Sequence, residues 1–349
     1  MIPGWPYSFV AALEPGRTSW TLPLDVVRLG PADDATAVTA AQVRDVVMRI
    51  TAAGHWHDGD PDILIVFDSG YDLTRLAWLL RDLPAEVAGR LRSDRVMHFP
   101  APPRPARPAG TGGRPPRHGP ALRFADPGTW PAPAVTTVTE TTRYGTATAM
   151  AWGRLHQRLA ARAGWEHHQG ELPAIEGTLI RLAVGHLPGD RSPDPLWLWS
   201  SRAGTSADEV NRTWQAFLRR FDIEHTFRFL EQVLGWTRPK LRDPAAADRW
   251  TWLIIACYTQ LRLARPLAAD IRLPWQRPYP PGRLTPRPRP PRVPEHPPEP
   301  ARSGQRTETR QTRTRPAPGL EKPAPGHPPR RRQNRQARRT KEENRRQKG

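Results

Sequence analysis

The chain has little cysteine and no long hydrophobic run. Cys257 is the single cysteine among 349 residues, so no disulfide can form within the chain. No stretch approaches the roughly 18 to 20 apolar residues of a membrane-spanning helix, and the N-terminus lacks the basic-then-apolar order of a signal peptide. We therefore expect a soluble cytoplasmic protein without a membrane partner, in which Cys257 occupies a buried helix position.

Acidic residues are also scarce relative to basic ones, and the imbalance is uneven. The chain has 34 Asp and Glu against 53 Lys and Arg, a net charge of +19. Residues 276–349 hold 21 of the basic and 6 of the acidic residues, so this tail carries +15 and the rest +4. With 17 prolines and almost no large apolar residues, the tail is expected to be disordered. Either it binds nucleic-acid phosphates electrostatically, or it is a frameshift product of a gene rich in G and C.

A short apolar segment ends in an acid. Residues 62–67 (DILIVF) are followed by Asp68, Ser69 and Gly70. Such a β-branched run is typical of a strand buried on both faces, whose carboxyl end places Asp68 in a crevice. Residues 73–83 then indicate an amphipathic helix packed on the sheet. The alternative is that Asp68 merely caps this helix.

Residues 206–235 predict one long helix. Ser206 is suited to the N-cap, Glu209 stands at the capping-box position, and Gly235 can close the end. Apolar residues recur at helical spacing and predict a stripe facing a core: Val210, Trp214, Phe217, Phe221, Phe227, Leu230 and Leu234.

Within this helix, Arg220 and Glu224 are four residues apart and share a face. One interpretation is an ordinary helix salt bridge. The other is a metal-ligating acid with an arginine one turn before it, which requires a second acid elsewhere in the chain, such as Asp68.

The spacing in this helix resembles that of insertion-sequence transposases of the DDE type, in the subgroup with a β-rich insertion before the last acid. Their final motif runs Tyr, two residues, Arg, three residues, Glu, six residues, Lys. Phe217, Arg220 and Glu224 fall at the first three positions, with Phe in place of Tyr. Glu231 stands at the fourth, where it reverses the charge of the family's Lys.

The second acid of these enzymes ends a strand in an Asp-x-Gly-Tyr context, which Asp68, Gly70 and Tyr71 match. The resemblance covers residues 2–275. It implies an α/β fold with a ribonuclease-H-like mixed sheet flanked by helices. It also implies that Asp68 and Glu224 are catalytic metal ligands, with Arg220 contacting DNA or steadying Glu224.

The chemistry implied by the resemblance is Mg²⁺-dependent (or Mn²⁺-dependent) endonuclease and polynucleotidyl transferase activity. Such a transposase cuts the ends of its element and joins them to a target, using two divalent ions about 3.5 to 4 Å apart. The implied partner is double-stranded DNA, bound by a homodimer in association with the nucleoid.

The family's first strand, which carries the first catalytic Asp, has no counterpart in this sequence. Tyr7–Leu13 and residues 19–29 resemble the family's second and third strands, and residues 39–53 its first helix. The missing strand would lie in the middle of the sheet, between the family's second and fourth strands, so its absence leaves two inner ladders unpaired. Asp25 is a poor substitute for the first Asp because it lies mid-strand at the sheet's edge.

This absence predicts either a mis-set start codon or a truncated and impaired copy. An alternative function is therefore a catalytically inactive DNA-binding remnant of a transposase.

Residues 100–200 indicate an insertion into the core. It opens with a Pro, Gly and Arg-rich segment, residues 101–120, which is either a linker or an arm lying along a DNA groove. A β-rich lobe is expected from strands at 134–141, 177–187 and 196–200. Trp197 and Trp199 in the last strand either pack in a core or stack on an unpaired base.

The expected domain order follows from these segments. Residues 1–99 form the first part of the core, and residues 100–200 the insertion. Residues 201–275 form the second part of the core, which includes an apolar helix over 245–263 that covers the sheet. Residues 276–349 form the disordered tail.

Overall fold

The structure is a computed structural model that describes residues 5–16, 18–102, 116–162, 164–186 and 193–267. These residues all lie within one compact unit, Met1–Pro290. The 276–349 tail and most of the Pro/Arg-rich segment lie outside the described residues. The two hypotheses for the tail therefore stay predictions.

The described residues form ten strands and five α-helices. The strands are β1 (Tyr7–Leu13), β2 (Thr21–Arg28), β3 (Ile63–Phe67), β4 (Ala85–Leu91), β5 (Val96–Pro100), β6 (His118–Arg123), β7 (Val135–Thr141), β8 (Gly145–Leu155), β9 (Gly177–Val184) and β10 (Leu196–Ser200). The helices are α1 (Ala35–Ala52), α2 (Leu73–Leu79), α3 (Ala207–Arg219), α4 (Asp222–Gln232) and α5 (Pro244–Ala264).

The central sheet is mixed and has six strands in the order β3-β4-β10-β9-β8-β7. β3 and β4 are parallel, and the remaining neighbours are antiparallel. β1 and β2 form a separate antiparallel hairpin, as do β5 and β6. The prediction of a mixed α/β sheet is confirmed, and its layout is compatible with a ribonuclease-H-like fold.

The strands expected in the inserted lobe are present, but they extend the central sheet. β10 pairs with β4 on one side and with β9 on the other, so the segment continues the sheet that β3 and β4 begin. The end of the Pro/Arg-rich segment also differs from expectation, because β6 starts at His118, inside the stretch 101–120 that was expected to be a linker or an arm.

Helices cover both faces of the sheet. One cluster joins α1 and α2 to the first face and includes Trp197 and Trp199, while α3 packs on the opposite face with Leu198. Neighbouring strand residues point to opposite faces, which explains how β10 serves both clusters. Trp197 stacks on Phe124 at a ring distance of 4.3 Å, and the exposed fractions of Trp197 and Trp199 are 4% and 1%. The core-packing alternative for these tryptophans is confirmed.

The β1–β2 hairpin has its own core with α4 and α5. Phe9 packs edge-on against Phe227 at a ring distance of 5.0 Å. The buried Tyr258 hydroxyl donates to the carbonyl of Thr21 at 3.0 Å and shares a hydrogen bond with Thr226 at 3.1 Å. The hairpin is thereby tied to the two C-terminal helices.

The prediction of one helix over 206–235 is wrong at its centre. The capping box of Ser206 and Glu209 is present, but α3 ends at Arg219 and α4 begins at Asp222. α3 buries its apolar stripe against the central sheet, whereas α4 buries its own against the hairpin and α5. Because these two cores lie in different places, the chain turns between them. Phe221, expected within the buried stripe, is 48% exposed at the turn.

α5 confirms the helix expected over 245–263, but not all of its expected burial. Cys257 is exposed, so the prediction of a buried helix position is wrong. Trp252, Leu253 and Leu261, expected to cover the sheet, are 45%, 60% and 46% exposed. Ile254 and Ile255, which were expected to be covered as well, are buried, and Tyr258 adds to this buried face of α5.

Candidate functional site

Asp68 lies at the carboxyl end of β3. Its carboxylate accepts the N–H of Ser69 at 2.7 Å and pairs with the Arg220 guanidinium at 3.0 Å, with 54% of its side chain exposed. The N-cap of α2 is Asp72, whose carboxylate accepts the N–H of Arg75 at 3.1 Å. The capping alternative therefore applies to Asp72, and Asp68 faces a different group.

Arg220 lies at the turn between α3 and α4, with only 13% of its side chain exposed. Its guanidinium carbon lies 4.7 Å from the ring centre of Phe217 and 4.6 Å from that of Phe221. The aromatic rings hold the cation by cation–π attraction, which strengthens where water is excluded. In the described structure Arg220 pairs with Asp68, a residue far away in the sequence, and not with Glu224 as in the interpretation of an ordinary helix salt bridge.

Glu224 lies in the first turn of α4 and is exposed. It lines the same cavity as Asp68, Tyr71 and Arg220. Tyr71 packs its ring against Phe67 at 5.3 Å, below the end of β3. Four of the residues singled out by the motifs thus meet in one place, although Asp68 and Glu224 are 156 positions apart in the sequence.

Phe217 and Glu231 lie elsewhere. Phe217 is 2% exposed and belongs to the core between α3 and the sheet. Its contribution to the site is the ring face that it offers to Arg220. Glu231 is exposed near the end of α4 and does not line the cavity.

The cavity itself has a volume of about 560 Å³. Its walls include every residue of β1 and of β3, together with residues of α1 on one side and α4 on the other. We call this cavity the slot. Its lining is mainly apolar, and the charged groups Asp68, Arg220 and Glu224 belong to it.

The donor set partly fits a divalent metal ion. Mg²⁺ accepts carboxylate oxygens and keeps several waters, so one or two acids plus a substrate phosphate suffice for one ion. Asp68 and Glu224 offer such oxygens. Among the described residues, however, no group of three or more His, Cys, Asp or Glu side chains is placed to hold a metal ion. These two acids suit one metal ion better than the two-ion site that the resemblance implies.

Asp25 is not part of the site. It lies in β2 and pairs with Arg49 at 3.3 Å, with only 18% of its side chain exposed. The side chain of Asp25 is therefore mostly buried.

Sequence reasoning missed a cluster of three histidines at the junction of β5, β6 and β8. Nδ1 of His118 lies 2.8 Å from Nε2 of His156, and the rings of His98 and His118 are 5.3 Å apart. Burial, reinforced by the neighbouring histidine charges, lowers the pKa of His156 and of His118. The three residues are 20 and 38 positions apart, so spacing in the sequence gave no signal of the cluster.

No helix in the described part of the chain is both long enough and apolar enough to cross a membrane.

The N-terminal part of the chain is similar to a known protein family. Residues 1–158 match the family model of the DDE superfamily endonucleases. No curated protein matches the chain. The matched segment runs from β1 to β8 and contains Asp68, whereas Arg220 and Glu224 lie beyond it. Enzymes of this superfamily generally use divalent metals. The match supports a DDE-type nuclease or transposase relationship for this chain.

Proposed function

We propose that this chain acts on the phosphodiester bonds of DNA as an insertion-sequence transposase of the DDE type, cutting element ends and transferring strands. The family match supports the superfamily. The observation that carries the proposal is the meeting of Asp68 and Glu224 in one cavity beside Arg220. Bringing two element ends together requires two copies of the site, which a homodimer on DNA provides. Such a complex would work at the nucleoid.

In this proposal Asp68 and Glu224 hold Mg²⁺ or Mn²⁺. A divalent ion held there stabilises charge on phosphoryl oxygens and lowers the pKa of a bound water. Arg220 fixes the carboxylate of Asp68 by its ion pair at 3.0 Å. Its guanidinium is also suited to a DNA phosphate, because its planar fork matches two phosphate oxygens.

A second candidate is a DNA-binding protein with weak or no catalysis. It is favoured by the two-acid site, since among the described residues no third ligand completes a metal-binding group. In this case the chain occupies element ends and competes with an active enzyme.

Nicking of supercoiled DNA that contains an element end tests the proposal. Purified full-length chain is assayed with Mg²⁺, with Mn²⁺ and with a chelator, beside Asp68→Asn and Glu224→Gln. Asp208→Asn is the matched control, because Asp208 is an exposed acid in the first turn of α3 and lies outside the slot. We expect each site variant to lose about 100-fold or more in rate, as is typical when a charge-stabilising group is removed, and the control to keep its rate.

Equal nicking by all four proteins contradicts the site assignment. Specific DNA binding without nicking by the unmodified chain supports the second candidate. Glu231→Lys adds a separate check: if Glu231 approaches DNA as the motif predicts, this variant binds element ends more tightly and with a steeper salt dependence.

A further inference from the structure

Phe221 is a large aromatic side chain that lies exposed beside the candidate site. It is 48% exposed, belongs to none of the core clusters of the described residues, and does not line the slot. Phe217, by contrast, is 2% exposed. Both rings contact the guanidinium of Arg220, at 4.6 Å for Phe221 and 4.7 Å for Phe217. Core packing explains an aromatic ring at Phe217, whereas Phe221 keeps much of its ring in water.

The Phe221 ring lies close to both acids of the site. The N–H of Glu224 donates to the carbonyl of Phe221 at 3.1 Å, so Phe221 lies one turn before Glu224, and residues three apart share a face of a helix. Arg220 contacts the Phe221 ring and also pairs with Asp68 at 3.0 Å. A phosphate held at Asp68 and Glu224 therefore has its neighbouring nucleotide beside the Phe221 ring.

Exposed arginines flank Phe221. Arg228 lies one turn after Glu224 on α4 and is exposed. Arg143 is exposed in the turn between β7 and β8, with its guanidinium carbon 5.4 Å from the ring centre of Tyr144. Burial raises the pKa of Asp222, the residue after Phe221, and the charge of Arg143 is among those that oppose this rise. The charge of Arg143 therefore acts next to Phe221.

An aromatic ring between arginines is suited to a nucleotide that is not paired. Inside a duplex both faces of a base are covered by the neighbouring bases, so a side chain can stack only on a base that has left the stack. Stacking of a base on an aromatic side chain tolerates any sequence, because every base has a π-face, and basic residues beside it follow the phosphates.

We propose that Phe221 stacks on an unpaired base next to the phosphate held at Asp68 and Glu224, while Arg143 and Arg228 contact neighbouring phosphates. The site would then take DNA with an unpaired nucleotide at the position of cleavage in preference to a continuous duplex. This inference rests on the proposed function, because it places a DNA phosphate at the two acids.

The test compares two labelled probes that differ only in their bases. One is a duplex with a short single-stranded thymine overhang, and the other has an overhang of the same length made of abasic nucleotides, with the same phosphates. Both are mixed with the full-length chain and Mg²⁺, and an excess of unlabelled blunt duplex occupies general phosphate-binding residues. We expect the thymine overhang to bind about 5- to 100-fold more tightly, the range for one stacked base.

Substitutions at Phe221 separate stacking from a supporting role. Phe221→Ala should remove the preference for the thymine overhang and leave binding of the abasic probe unchanged, which also shows that the variant is folded. Phe221→Trp should keep the preference, and Phe221→Leu should lose it, since leucine has no π-face. Trp252→Ala is the matched control, because Trp252 is an aromatic residue with 45% exposure that lies outside the slot.

Two results overturn the proposal. If Phe221→Ala weakens binding of both probes equally, the ring only holds Arg220 in place. If Phe221→Leu keeps the preference, contact with the base is apolar and does not depend on stacking.

Photochemical cross-linking locates the contact. With 5-iodouracil in the overhang, the adduct found by mass spectrometry is expected at Phe221, and adducts confined to other residues overturn the proposal. Nicking of supercoiled DNA judges the nuclease proposal separately. A chain that nicks DNA but shows no preference for the thymine overhang keeps its proposed function and loses the role of Phe221. A chain that shows the preference through Phe221 but does not nick keeps that role and loses the nuclease activity.

Discussion

Two five-residue strands of this chain, β3 and β10, are both largely apolar but have different surroundings. β10 (LWLWS) is paired on both edges, and four of its five residues are buried. β3 (ILIVF) is paired on one edge, and only Phe67 is buried. The difference lies beside β3, whose other edge borders the slot in the described structure.

An apolar run of residues predicts that a strand can be buried. The elements that pack beside the strand decide how much of it is buried. Charged residues near the two strands differ in the same way, since those near β10 are fully paired and those at the slot are not. Buried Glu86, which neighbours β10 in the sheet, is satisfied by Ser200 and Arg202. At the slot, Arg220 pairs with Asp68 but keeps a buried Nε without a partner in the described structure.

The largest expected difference between the two strands is the cost of truncating an apolar side chain. Trp199→Ala in β10 should lower the free energy of unfolding by about 3 to 5 kcal/mol, because the indole is 1% exposed and leaves a cavity. Ile65→Ala in β3 should cost about 1 to 2 kcal/mol, below the range for a fully buried isoleucine. Urea unfolding measures both, and equal costs contradict the comparison.

A smaller difference in stability is expected between alanine substitutions at two buried serines, Ser200 in β10 and Ser8 in β1. The hydroxyl of Ser200 donates to Glu86 at 2.6 Å, so Ser200→Ala should cost about 1 to 3 kcal/mol by leaving a buried acid short of a donor. Ser8 is equally buried, but its Oγ has no partner among the described residues. Ser8→Ala should change stability by at most about 0.5 kcal/mol or increase it. A large loss from Ser8→Ala would show that the hydroxyl has a partner in solution.

The histidine cluster, which lies away from the slot, predicts that the free energy of unfolding depends on pH. Burial lowers the folded-state pKa of His156 and of His118 below the unfolded value of about 6.5. Their neutral forms therefore favour folding. This contribution is complete above about pH 6.5 and is lost as the pH falls through the folded pKa values.

Urea midpoints between pH 8 and pH 5 measure this dependence. Carboxylates with lowered pKa values, such as Asp34 and Glu209, lose their contribution only below about pH 4 to 4.5. A decline that starts near pH 6.5 therefore reports histidine, and His118→Gln should flatten it. A midpoint constant down to pH 5 contradicts the prediction.

The smallest effect is expected at Cys257. Because the thiol is exposed, Cys257→Ser should change the free energy of unfolding by less than about 0.5 kcal/mol. The native chain should also react with a thiol reagent without denaturant. If the thiol reacts slowly and only after unfolding, Cys257 is buried and the prediction is contradicted.

Local features of the fold were predictable where the signal is local. The bounds of β1 and β10, the capping box of Ser206 and the helix over 245–263 follow from short patterns of apolar and capping residues. The strand and turn around Asp68 follow from the same kind of signal.

The break between α3 and α4 was not predictable, because the interior of 206–235 contains no glycine or proline before Gly235. The chain turns there because its two halves bury their stripes against different cores. Arg220 lies in this turn and pairs with Asp68, a contact that spacing within the helix could not indicate. The exposure of Cys257 likewise depends on which face of α5 meets α4.

The sequence by itself determined the elements and the identity of the motif residues, because helix caps, strand alternation and residue spacing act over a few positions. Only the tertiary structure decided that Arg220 pairs with Asp68 and lines one cavity with Glu224, and that the strands after β6 extend the central sheet. These contacts join residues far apart in the chain, and packing against a shared core, rather than local preference, sets their positions.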